Sequence, residues 1–323
     1  MSTLSSHDEI RVSNRATRWP VSPIDVVVAG PLVARLLFGA TPIGRAVQAV
    51  SLGLYLASAA RDWRDRRGIR KIDFEREFGG SVRRLPPMPR EAREAEAVAL
   101  VGRLNDEFTA ERVPRHELAA HVDRRLTDYV AGITGQRVHT SAEVRGFALV
   151  GVVFPFALGA CDMLTGDVAI FRDTGFLEPH VIAHEFSHRK GYWKELEAQA
   201  LAYLSLTASG DPALVQAARL ERLHRTVLVL ADHEPTAFRR LVTALDLRRE
   251  LRRCLLALAA RPRGVARRVE QGLRGIYDRR MRLTGQNGIS DYSVGFTNLL
   301  FAFETSPTAR QRPPGAGVVH PRP

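Results

Sequence analysis

Lysine is almost missing from this 323-residue chain. It occurs only as Lys71, Lys190 and Lys194, and every other basic residue is arginine. The net charge of +12 would invite nucleic acid as a partner. An arginine-for-lysine bias spread along the whole chain is a composition effect, however, and no zinc-finger spacing, RNP-like aromatic motif or helix-turn-helix accompanies it. Nucleic acid is not an expected partner. Cysteine is equally scarce. Cys161 and Cys254 are far apart and form no CxxC pair, which excludes a disulfide scaffold and predicts two buried free thiols. There is no Gly-rich phosphate loop, Rossmann fingerprint or GxSxG elbow. The first 18 residues are polar, with no small-residue cleavage site after a compact apolar run, so a cleavable signal peptide is not expected.

What is present divides the chain into four parts. Residues 1–20 read as a polar tail. Residues 21–62 are apolar, interrupted only by Asp25, Arg35, Arg45, Arg61 and Asp62. The longest uncharged run at their end, residues 46–60, falls short of the ~20 residues that span a bilayer, yet Arg45 and Arg61 can snorkel and lengthen it. The segment is expected to associate with a membrane, as a span or as an apolar helical hairpin, and the side on which the rest of the protein lies is left open. Residues 63–304 form the body, and residues 305–323, rich in Pro, Gly and Arg, read as a disordered tail. Hydrophobic content of 45% supports a folded body. Its patterns are mostly helical. Valine- and glycine-rich stretches between residues 139 and 173, GDVAIFRD among them, predict a small β element. The fold class expected is α+β, mainly α, with a helical C-terminal part.

One stretch carries chemistry: HEFSHRKGYWKELEAQ, residues 184–199. Positions i and i+4 share a helix face, so His184 and His188 can bind one Zn2+ through imidazole nitrogens. Glu185, on the adjoining edge, can act as general base on a water. Pro179 suits the start of this helix, and Gly191 the turn that ends it. A third ligand must then come from the next helix, where Glu195 and Glu197 are available. Two residues apart, they face nearly opposite ways, so only one can look at the metal. Glu195 is preferred and Glu197 is the reserve. Gln199, four residues beyond Glu195, is placed to hold a ligand histidine. His116 and His121 read as surface residues. His180 falls one turn from the metal, and His224 and His233 lie in a later helical region.

AHEFSHRKGYWKELEAQALAYL resembles the core of a zincin metallopeptidase of the gluzincin kind. More closely it resembles a bacterial family of zincin-like, often membrane-anchored proteins, the domain of unknown function 3810. GVVFPFALGA and YDRRMRLTGQNGISDYSVGFTNLLFA are similar to further segments of that family, over roughly residues 70–304. Gln199 stands where that family usually has Asn. The resemblance implies a zincin-like core, one zinc per chain and a peptide or protein substrate. On that reading His184, His188 and Glu195 hold zinc and Glu185 is the general base. Tyr292 or Tyr192 would supply the hydrogen bond to the oxyanion, with Tyr292 preferred, and the GDVAIF strand would pair with an extended peptide. Two other classes draw on the same features: a membrane-associated zincin-like binding protein without turnover, and a basic helical protein that binds nucleic acid or anionic lipid. The intact Glu185 argues against the first.

Overall fold

In the computed structural model, residues 8–78, 82, 84–147, 157–162, 165–258 and 265–306 are described. The chain is mainly helical, with a few short strands, as the patterns predict. A strand β1 (Asp8–Arg11) leads into two apolar helices, α1 (Pro23–Phe38) and α2 (Pro42–Arg66). The body follows with α3 (Phe74–Phe78), α4 (Arg90–Asp106) and α5 (Arg115–Thr134). Strands β2 (Gln136–His139), β3 (Arg145–Gly146), β4 (Gly159–Cys161) and β5 (Val168–Ile170) come next. The rest is helical: α6 (Glu178–Arg189), α7 (Glu195–Ala208), α8 (Pro212–Leu230), α9 (Pro235–Ala244), α10 (Arg249–Leu258), α11 (Val265–Leu283) and α12 (Val294–Thr305).

The helix starts follow local rules. Asp211 caps α8 by accepting from the backbone N–H groups of Ala213 and Leu214, and Pro212, Pro235 and Pro42 sit in first turns, where no partner for their nitrogen is required. Buried apolar side chains form two clusters. One surrounds α6 and draws on α5, α7 and α12; the other joins α4 and α8 to α9 and α10.

The strands depart from two expectations. Residues 1–20 read as a polar tail, but Asp8–Arg11 pairs in parallel with Gln136–His139. No local period announces a lone strand whose partner is more than a hundred residues away. Pairing with an extended peptide requires a strand at an edge, but β5 is central, parallel to β3 on one side and antiparallel to β4 on the other, so among the described strands β4 lies at an edge. The Pro-Phe part of GVVFPFALGA, part of the proline-rich loop at 79–90, and residues 307–323 lie outside the described residues.

Helices α1 and α2 pack against each other with small residues between them. Ala34 and Gly44 are buried, while Val33, Leu36, Leu37, Val50, Leu54 and Leu56 are exposed by 49–85%. Among the described residues, α2 is the one helix long and apolar enough to cross a membrane.

Every residue of α6 is buried, so its polar members must find partners inside the protein. Arg189 and Lys190, which follow the second motif histidine, are almost wholly inaccessible. Arg189 donates to the carbonyls of Gly166, Ser141 and Glu143. Lys190 Nζ lies 2.9 Å from Asp123 and donates to Thr127 Oγ1 and the Val138 carbonyl. Burial pulls the Lys190 ammonium below its ordinary range, against the pull of Asp123. These two cations at the C-terminal end of α6 lie where the helix dipole favours positive charge, and they fasten the helix to α5, β2 and the loops at 141–143 and 166. Removing one partner of such a pair leaves the other charge buried. Lys190→Ala is therefore expected to lower stability by about 3–5 kcal/mol, read as a lower urea midpoint at unchanged slope.

Candidate metal centre

The site begins with the end of α6. Gly191 has φ +96°, a backbone conformation that favours glycine. Its N–H donates to the His188 carbonyl (2.8 Å), and the Tyr192 N–H donates to the Ser187 carbonyl (3.0 Å). These are the two hydrogen bonds of a Schellman turn. The turn brings the Tyr192 carbonyl round to His188 Nδ1, at 2.7 Å. With Nδ1–H held there, His188 turns its Nε2 toward Glu195 and the site.

After the turn the chain re-enters helix at Glu195. Its Oε2 lies 3.2 Å from His184 Nε2 and 3.2 Å from His188 Nε2, and the imidazole ring centroids are 4.8 Å apart. One ligand atom from each of the three residues falls within 4.8 Å of the others, and all three are buried. Glu197 turns aside and pairs with Lys194 at 2.7 Å. Of the two acidic residues, the structure brings Glu195 to the histidines.

The cluster fits a cation. Burial by itself would depress the His188 imidazolium, but the Glu195 carboxylate outweighs it and holds the pKa up at about 9. Burial by itself would raise Glu195, yet His188 and His184 keep it well below the usual carboxylate range. A buried carboxylate facing two imidazole nitrogens is a donor set suited to Zn2+. Glu185 is buried on the adjoining edge, where burial raises its pKa against the pull of both histidines. It receives a backbone hydrogen bond from Cys161, and a Cβ on Gly159 would come within 3.2 Å of its Cγ. Glu185 therefore lies beside β4.

Residues 277–292 close the site from the far end of the chain. Tyr277 donates from its hydroxyl to Glu195 Oε1, the oxygen turned away from the histidines. Tyr292 Oη lies 3.3 Å from Tyr277 Oη, and its ring centroid is 5.9 Å from that of His184. Burial, with Glu195 nearby, raises both phenols, so each keeps its proton. Gln286 Oε1 accepts from the Glu195 backbone N–H at 2.8 Å, taking one of the free donors at the start of α7. The loop that does this needs Gly288. Its φ is +91°, and a Cβ there would sit 2.1 Å from Asp278 Oδ1, the atom that accepts from the Ile289 N–H.

Other expected roles fall elsewhere. Tyr192 is excluded as an oxyanion donor, because its hydroxyl accepts from the Ile72 N–H at 3.0 Å in the core. Gln199 donates to Glu221 Oε1 at 2.7 Å, and the task expected of it is done for His188 by the Tyr192 carbonyl. His180 is buried one turn before His184, neutral with a pKa lowered to about 4 by burial. His224 pairs with Glu221 and His233 with Ser293 Oγ. His116 is exposed, and His121 is half-buried 3.1 Å from Asp211. Cys161 and Cys254 are free thiols. Sequence reasoning assigned no role to Tyr277 or Gln286, although both lie in the segment that resembles the bacterial family. Loss of a group that orients a ligand typically weakens metal binding by about 10–100-fold. Tyr277→Phe is expected to do so for Zn2+, measured by competition with a chromogenic chelator.

No curated protein and no solved structure matches the chain. Residues 145–301 match the family described as a protein of unknown function (DUF3810). The matched stretch holds His184, Glu185, His188, Glu195, Tyr277, Gln286 and Tyr292 and leaves α1 and α2 outside it. Over residues 145–301, then, this chain is similar to the DUF3810 family.

Proposed function

We propose that the protein is a zinc-dependent metallopeptidase. The observation that carries this is one buried cluster: the Nε2 atoms of His184 and His188 each 3.2 Å from Glu195 Oε2, with Glu185 buried beside them. On this reading His184, His188 and Glu195 would hold one Zn2+, which would supply Lewis acidity toward the scissile carbonyl and toward water. A closed structural site would leave Glu185 without a task.

The chain's own groups account for the proton movements. Glu185 takes a proton from water as its oxygen attacks the scissile carbonyl carbon. It returns that proton to the amine as the C–N bond breaks. Tyr292 keeps its proton and is the donor for the developing oxyanion. Tyr277 acts through Glu195 as a positioning residue. An extended peptide would pair with the outer edge of β4, whose Gly159 and Cys161 lie against Glu185. This edge replaces the GDVAIF strand in that role.

The apolar face of α1 and α2 supports a second element of the reading: the hairpin holds the protein on a membrane. Six large apolar side chains exposed by 49–85% on two packed helices form the kind of surface that marks a membrane or partner contact.

Three outcomes test this. Elemental analysis of wild type should give about one zinc per chain, and His188→Ala none. Glu185→Gln should keep its zinc and lose hydrolysis of a mixed peptide library by at least about a hundredfold, the low end of general-base effects; a mutant that cleaves as well as wild type overturns the mechanism. On fractionation of expressing cells, the protein should sediment with membranes and resist extraction by high salt.

A further inference from the structure

The hairpin leaves the body and returns to it at the same place. On its leading side, β1 pairs with β2, the Val12 N–H donates to the His139 carbonyl, and the Arg15 N–H donates to the Thr165 carbonyl. Arg145, buried in the body, donates to the Pro20 carbonyl and grips Asp25 in the first turn of α1 through both terminal nitrogens. On the trailing side, the Arg66 guanidinium lies over the Trp193 ring at 5.4 Å, and the Arg70 N–H donates to Gln136 Oε1 at 2.8 Å. Gln136 holds the two sides together. Its buried amide also donates to Asp8 Oδ2 on the leading segment and to the Gly68 carbonyl on the trailing one. While these contacts exist, α2 cannot be a lone span with the chain on opposite faces of a bilayer.

The packing of the hairpin is inverted relative to one that folds in water. Small residues, Gly30, Ala34, Gly44 and Ser51, lie between the helices, as in helix pairs that associate within lipid. Among the described side chains, Val33, Leu36, Leu37, Val50, Leu54 and Leu56 point outward. Charge is confined to the two ends. Between residues 26 and 60 the only charged residues are Arg35 and Arg45, and both lie near the turn that joins α1 to α2. The base carries Arg15, Arg18, Arg61, Arg64, Arg67, Arg70 and Lys71. From Arg45 to Arg61 the helix rises about 24 Å, against a hydrocarbon core of about 30 Å. The turn arginines, snorkelling, can reach toward the far headgroups. The base arginines match anionic headgroups on the near side.

We propose that α1 and α2 form an in-and-out membrane hairpin, with residues 8–20 and the whole body on one side, and that the arginine-rich base makes this side the cytoplasmic one. The occupant of the exposed apolar face is the acyl region of the bilayer. This rests on the membrane-association reading above and goes beyond it by fixing the topology.

The test uses the full chain in bacterial membranes, with single cysteines introduced as Arg11→Cys, Ala40→Cys and Glu111→Cys, all at exposed positions, and the parent as background for Cys161 and Cys254. A membrane-impermeant maleimide is applied to intact cells and to inside-out vesicles. Arg11→Cys and Glu111→Cys should label together, in inside-out vesicles only, and Ala40→Cys should stay unlabelled there. Labelling of Arg11→Cys and Glu111→Cys from opposite faces overturns the hairpin while leaving membrane association intact. Labelling of both in intact cells overturns the orientation. Equal labelling of all three in inside-out vesicles puts the hairpin outside the bilayer and overturns the insertion. Recovery as a soluble oligomer assigns the apolar face to a second copy and overturns the association reading as well.

Discussion

A single carboxylate organises this protein. Glu195 is buried with one oxygen between two imidazole nitrogens and the other accepting from a tyrosine hydroxyl. A carboxylate out of water is tolerated only where positive charge and hydrogen bonds replace the water it has lost. Two helices and the C-terminal segment meet to supply them. The cost of leaving Glu195 unmatched explains why its carboxylate pulls the His188 pKa up against burial. It also explains why the same pocket suits a divalent cation, which satisfies the carboxylate and both histidines at once.

The surroundings of the cluster keep its geometry fixed. α6 is held along its whole length by the core and at its end by two buried cations. Its last turn aims the Tyr192 carbonyl at His188, while the phenol of the same residue reaches back to Ile72. Tyr192 thus links the site to the segment that follows the α1–α2 hairpin. Trp193 does the same on its other side, stacking on His188 at 6.0 Å with its ring under Arg66. The His184–His188–Glu195 cluster is one aromatic ring away from the base of α2. A peptidase held this way would meet substrates close to the bilayer surface.

The hairpin departs from the packing usual for a helix pair in water. In water the large apolar side chains would turn inward. Here, among the described side chains, Gly30, Ala34, Gly44 and Ser51 lie at the interface, and Val33, Leu36, Leu37, Val50, Leu54 and Leu56 face out. The polar contacts concentrate where the hairpin joins the body, at Arg145, Asp25, Gln136 and Arg66.

Much of the local design was legible in the sequence. The spacing of His184, Glu185 and His188, the helix start near Pro179, the glycine that ends the helix and the fact that only one of Glu195 and Glu197 can face the histidines all follow from helical geometry. So do the helical body and the apolar character of residues 21–62. Each is a relation between residues a few positions apart, which periodicity and turn chemistry express directly. Which of Glu195 and Glu197 faces the histidines was a preference until the fold placed Glu195 there. What tertiary structure decided lies at long separation. Tyr277 reaches Glu195 across 82 residues, Gln286 across 91, and Gln136 reaches Asp8 across 128. Sequence cannot distinguish a tyrosine that packs from one that orients a ligand, or a surface Arg-Lys pair from one buried under a core. It gives no pairing order for strands, so β5 was misplaced at an edge and β1 was read as a tail. Local chemistry selected the ligands; the folded chain determined what holds them, because those contacts exist only once distant segments pack.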